Sequence, residues 1–155
     1  MIFVSFKPID AINTKSKNVD IALVEIKSFI MYELNKKGMI SITHGSKSHR
    51  YLKYSTIKDL NYTDNSNKFM ANIKAKDALY KNDIINLSGD VVYNREDNLV
   101  FKSQEAIYNQ IENTISTTKK YILYQNKNIV KGSSLQFNNI SGKIKSKNVV
   151  ATYKY

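Results

Sequence analysis

The stretch that decides the fold is Ile73-Lys74-Ala75-Lys76-Asp77-Ala78-Leu79-Tyr80. It is written again 28 positions later, as Phe101-Lys102-Ser103-Gln104-Glu105-Ala106-Ile107-Tyr108. Apolar residues fall on apolar residues, and Asp77 meets Glu105. At the same offset Leu87-Ser88 meets Ile115-Ser116, and Tyr93 meets Tyr121. Self-similarity at a fixed period of this length signals stacked units, none of which can bury its apolar face alone. Weaker echoes stand at Ile26-Lys27-Ser28-Phe29-Ile30-Met31-Tyr32 and at Gly132-Ser133-Ser134-Leu135-Gln136-Phe137.

Each copy reads as an extended run, a polar break and a second extended run. The breaks are Lys81-Asn82-Asp83, Asn94 to Asn98, Thr117-Thr118-Lys119-Lys120 and Gln125 to Asn128. Between the first two, Ile85, Leu87, Gly89, Val91 and Tyr93 point one way; Asn86, Ser88, Asp90 and Val92 point the other. Turns at roughly 8 to 12 residue intervals predict an all-β sandwich or roll. Further upstream, Val19 to Tyr32 has residues that could line a helix, but strand-type residues and alternation predict one or two strands. Lys36-Lys37-Gly38 reads as a turn, Met39 to His44 as an extended run, His44 to His49 as a polar loop, and Thr63 to Asn67 as another turn. Gly89, Gly132 and Gly142 mark bulges or close backbone approaches. The run Asn148-Val149-Val150-Ala151-Thr152-Tyr153 predicts a last strand at an open sheet edge. Residues 1–18 divide off as a linker with the remnant of an anchor, and 19–155 as one β domain.

A chain of 155 residues can bury a core without staples, and the absence of cysteine excludes disulfides and thiolate metal sites. The net charge of +11 favours anionic partners. Arginine appears only at Arg50 and Arg95, in a chain rich in Asn and Ile. Coding bias and solubility therefore account for the lysines first, and anion binding second. Met1-Ile2-Phe3-Val4-Ser5-Phe6, followed by Lys7 and Pro8, reads either as a first strand or as the tail of an anchor helix with Lys7 at the membrane boundary.

Catalytic patterns are wanting. No glycine-rich phosphate loop or nucleophile elbow occurs, and His44 and His49 have no third ligand placed by sequence. Asp77 and Glu105 recur at equivalent positions, which suits cross-strand partners of lysines better than paired catalytic carboxylates. Neither an enzyme nor a cofactor or metal is expected. Tyr51, Lys53, Tyr54, Lys58 and Tyr62 could form a stacking platform for nucleic acid. The spread of tyrosines along the chain suits a core instead, so nucleic acid is not an expected partner.

From Ala71 to Tyr153 the chain resembles the OstA-like repeat family of lipopolysaccharide transport, and within it the LptC proteins. The resemblance rests on Ile73 to Tyr80, on Ile85-Asn86-Leu87-Ser88-Gly89-Asp90-Val91 with its leucine, x, glycine, x, valine pattern, on Ser103 to Tyr108 leading to Ile115-Ser116-Thr117, and on Ile129 to Phe137 with its glycine, x, x, leucine element. The soluble bridge proteins of the LptA kind share the repeat, and both kinds stay open at this point. The resemblance implies a twisted antiparallel β-jellyroll of stacked repeats, with a hydrophobic groove between two sheets. It implies that the protein receives lipopolysaccharide from an inner-membrane ABC transporter (LptB/LptF/LptG-like) and passes it to an LptA-like periplasmic bridge protein. An acyl chain of about a dozen methylenes costs on the order of 10 kcal/mol to expose to water, so such a lipid has to move from groove to groove. Groove candidates are Phe69, Ile73, Leu87, Val91, Phe101, Ile107, Ile115, Leu123, Leu135, Phe137 and Ile144. Lys74, Lys102, Lys119, Lys120 and Lys131 are candidates to meet lipid phosphates at the rim. Asn148, Val149, Val150, Ala151, Thr152 and Tyr153 form the expected partner edge, by strand addition to the bridge protein, and edge strands also allow a homodimer. The N-terminal strands are expected to face the transporter.

Overall fold

The structure, a computed structural model, describes residues 20–154. The Met1 to Phe6 segment, and with it the anchor reading, lies outside the described residues. Nine strands follow one another: β1 (Val24–Asn35), β2 (Gly38–Arg50), β3 (Ser55–Asp64), β4 (Ala71–Lys81), β5 (Ile84–Arg95), β6 (Leu99–Asn109), β7 (Thr114–Gln125), β8 (Asn128–Asn138) and β9 (Ile144–Thr152). They form a single antiparallel sheet in sequence order. The expected all-β antiparallel architecture is present, but as one continuous sheet rather than two.

That sheet makes its own sandwich because its strands bend in the middle. Pairing slips between Lys74 and Asp77, Ser88 and Val91, Ser103 and Ile107, Thr117 and Lys120, and again in β8. Ser28, Asp59, Gly89, Asp90, Ser134 and Asn148 take left-handed backbone conformations along this same mid-strand line. Bulges leave residues unpaired and sharpen the local bend, so each strand divides into two halves facing different parts of the core. At Gly89 a Cβ would stand 2.8 Å from Lys76 Cβ, which keeps this bend for glycine.

Two sets of inward rows fill the space between the halves. On one side Thr43, Tyr62, Ile73, Tyr93, Phe101 and Leu123 are successive cross-strand partners. On the other, Tyr80, Ile85, Tyr108, Ile115 and Phe137 are. Polar bonds show how the halves lie on each other. Tyr108 Oη donates to Asp64 (3.0 Å), Gln110 donates to Tyr62 Oη (3.2 Å), Tyr93 Oη donates to Asn139 (2.8 Å), and Asn67 donates to Asn113 (2.8 Å). Each joins residues between 44 and 48 positions apart, which sets one half of a strand over the opposite half of a strand three places on. Consequently one half of each outermost strand has nothing opposite it, and no residue of β1 or β9 is buried.

Several local expectations change. His44 to His49 is the body of β2, not a loop; the turn comes after it, at Tyr51 to Tyr54. Thr117 to Lys120 is not a break but the bulge in the middle of β7. The 28-residue offset holds for β4 and β6, including Tyr80 and Tyr108, which share one inward row. It slips for the second strand of each unit: Ile85, not Leu87, shares that row with Ile115. The cause is the longer turn after Asn109, against the two-residue Asn82-Asp83 turn, whose positive φ angles of 50° and 61° suit a tight hairpin. The late echo falls on β8, where Phe137 joins the row of Tyr108 and Ile115. The early one lies on β1, which runs antiparallel to β4, so it is no structural copy.

Candidate functional site

The candidate site is the apolar interior between the two halves, with its polar closure and its open ends. Val91, Tyr93 and Phe101 have no exposed surface, and Ile73, Leu87, Ile115, Leu123, Leu135 and Phe137 are fully buried around them. Eight groove candidates (Ile73, Leu87, Val91, Phe101, Ile115, Leu123, Leu135 and Phe137) therefore come together in one cluster. This cluster is packed at its centre rather than an open trough. The depressions lined by Asn35, Gly38 and Asn65 (about 270 Å³) and by Asp59, Lys74 and Asp90 (about 310 Å³) include none of its aromatic residues.

Three groove candidates stand elsewhere. Ile107 is 44% exposed, because the bulge between Ser103 and Ile107 changes which residues face in: Leu99, Phe101 and Ser103 before it, Ala106 and Tyr108 after it. Ile144 faces Phe137 in the pairing but lies on the uncovered β9, also 44% exposed. Phe69 sits in the β3–β4 turn, half-buried, under the Arg95 guanidinium at 4.9 Å.

Arg95 is the centre of the polar closure. Its guanidinium lies between the Phe69 and Phe137 rings. It donates to Asn139 Oδ1 (2.9 Å) and, through Nε and Nη2, to both carboxylate oxygens of Asp97 (2.6 Å each). The bidentate bond from Arg95 holds the Asp97 carboxyl below its ordinary range and pushes the guanidinium up. Burial, followed by the Asp64 carboxylate, raises the Tyr62 and Tyr108 phenols, and burial raises Tyr93. These hydroxyls remain neutral donors or acceptors that tie the halves together. Sequence reasoning missed Arg95, Asp64 and Asn139. The signal available was an arginine in an otherwise lysine-rich chain, at the end of an inward-facing alternation.

The lysines do not form a rim around the interior. Lys74, Lys102 and Lys131 lie in one cross-strand row with Val92 and Ile122 on the outer face, because they alternate with the inward Ile73, Phe101 and Val130. Lys119 pairs with Glu105 (3.5 Å), and Lys120 is exposed beside it at the bulge. Asp77 pairs with Lys58, its cross-strand neighbour. Asp77 and Glu105 are thus partners of lysines on separate strands. His49 meets Glu25 at 2.9 Å, whereas His44 stands exposed further along β2. Tyr62 faces the core, which removes it from any platform with Tyr51, Lys53, Tyr54 and Lys58. The segment Asn148 to Thr152 does lie at a sheet edge, in β9, with Tyr153 just beyond it and exposed. Among the described residues no helix is long and apolar enough to cross a membrane.

A bent, twisted meander of this kind defines the LptA-like jellyroll class. The structure superimposes on the crystal structure of LptH, the LptA homologous periplasmic component of the conserved lipopolysaccharide transport device from Pseudomonas aeruginosa. The TM-score is 0.60 at 10% identity, covering 85% of this chain and 94% of that one. No curated protein matches the sequence. The profile described as "Lipopolysaccharide-assembly, LptC-related" matches residues 26–155. The chain belongs to the LptC-related family of lipopolysaccharide-assembly proteins.

Proposed function

We propose that the protein is a lipopolysaccharide-binding component of the transport bridge, working on the periplasmic side of the inner membrane. It receives lipid from the inner-membrane ABC transporter at its N-terminal strands and passes it to an LptA-like bridge protein at β9. The acyl chains lie between the two halves of the bent sheet, among Ile73, Leu87, Phe101, Leu123, Leu135 and Phe137, and the halves part to admit them. The observation that carries this reading is the three-strand displacement between facing halves. It leaves inward-facing Ile26 and Ile57 at one end, and Val130 at the other, only partly covered. A neighbouring jellyroll joined edge to edge would supply the missing counterparts and continue the apolar interior from one molecule to the next.

Two experiments test it. Fluorescent lipopolysaccharide should bind in a manner insensitive to salt and abolished by detergent; a steep loss with salt would indicate phosphate or nucleic-acid binding instead. Deleting residues 148–155 should abolish capture of the bridge protein while β1 to β8 stay folded, and unchanged capture would reject β9 as the joint.

A further inference from the structure

The β2–β3 turn differs from its neighbours. Tyr51 and Tyr54 stack at 4.5 Å between ring centroids, and the Tyr51 N–H donates to the Tyr54 carbonyl at 2.9 Å. The stacked pair sets off Leu52, which is 83% exposed, the largest value among the described large hydrophobic residues. Arg50 and Lys53 are exposed on either side. The chain also enters the sheet here. The Leu23 N–H donates to the Arg50 carbonyl (2.7 Å), Tyr54 Oη donates to Asp20 (3.0 Å), and Ile21 and Leu23 are more than half exposed.

We propose that this tip docks into the interface of an anionic lipid bilayer. An apical leucine, two aromatic rings with polar edges and flanking cations match the layered chemistry of the bilayer interface: hydrocarbon, glycerol region and charged headgroups. Neither the depression at Asn35 nor the one at Asp59 includes a residue of the tip. Moreover, the apolar Ile21 and Leu23 stand exposed beside the tip, where Leu23 is held to Arg50. Stable association with a membrane takes two weak elements acting together, and here the Leu52 tip and the exposed Ile21 and Leu23 lie side by side. The inference does not depend on lipopolysaccharide passing through the interior.

The chain has no tryptophan, so Leu52→Trp in the full chain reports on the tip alone. Vesicles of phosphatidylcholine, with and without phosphatidylglycerol and free of lipopolysaccharide, are the probe. The Leu52→Trp emission should shift to the blue and be quenched by brominated acyl chains on the anionic vesicles, whereas Lys127→Trp in the β7–β8 turn should not respond. Arg50→Glu with Lys53→Glu should weaken vesicle binding at least tenfold, at about 1 kcal/mol per cation near the surface. Circular dichroism of each variant checks that the sheet is intact. A tryptophan that stays water-exposed on bound vesicles, binding unaffected by the charge reversals, or a shift produced only by a partner protein would each overturn the proposal.

Discussion

Phe101→Ala and Ile107→Ala together probe the bend that makes one sheet into a sandwich. Both positions are apolar, in the same strand and six residues apart, and both sit in the repeated segment. Phe101 has no exposed surface and stacks on Tyr121 at 6.1 Å, whereas Ile107 lies on the outer face beyond the bulge. Emptying a well-packed phenylalanine site costs about 3–5 kcal/mol, and an exposed substitution stays within about 0.5 kcal/mol. In equilibrium urea unfolding, at roughly 2 kcal/mol per molar, Phe101→Ala should lower the midpoint by about 2 M and Ile107→Ala by no more than a few tenths. A loss below about 1 kcal/mol for Phe101→Ala would refute the packed interior. Equal losses at the two positions would refute the change of facing at the Ser103–Ile107 bulge.

Asn139→Ala removes the acceptor shared by Tyr93 Oη and Arg95 Nη1. It should cost about 1–3 kcal/mol in thermal or urea unfolding, and much less in a Tyr93→Phe background. Acid should weaken the same closure. The Asp97 carboxyl is held below its ordinary value of 3.8 by Arg95, so its contribution is full above that value and lost as pH falls through the depressed folded value. Asp97→Asn should flatten this part of the acid limb of stability against pH, and an unchanged limb would count against it. At Gly132 a Cβ would stand 2.9 Å from the Lys147 carbonyl oxygen, so Gly132→Ala should loosen β9 and show as faster amide hydrogen exchange from Ile144 to Thr152.

The duplicated segment made strand type and alternation legible. Ile85, Leu87, Val91 and Tyr93 face one way as read, and turns fall at Lys36-Lys37, Asn82-Asp83 and Asn126-Lys127. What the pattern hid was the mid-strand bend. In β6 the bulge reverses alternation without a glycine or proline to mark it, so Ile107 reads as inward; in β7 it leaves Thr117 to Lys120 out of register, so they read as a break. The groove between two sheets and the lysine rim came with the family resemblance, whereas alternation with Ile73, Phe101 and Val130 sends Lys74, Lys102 and Lys131 outside. Arg95, Asp64 and Asn139 escaped notice because their meaning is tertiary. Each closes a contact across the sandwich with a residue more than forty positions away, and no local period reports that.

The most direct test of the central claim is to stop the halves from parting. Asn67 in the β3–β4 turn and Asn113 in the β6–β7 turn join the two halves at 2.8 Å, and the chain has no cysteine of its own. A cysteine placed at each position and joined by a short bifunctional thiol reagent would tie one half to the other. Lipopolysaccharide binding should be lost in the tied form and remain in the same variant with its thiols singly blocked. Full binding by the tied protein would contradict entry of acyl chains between the halves.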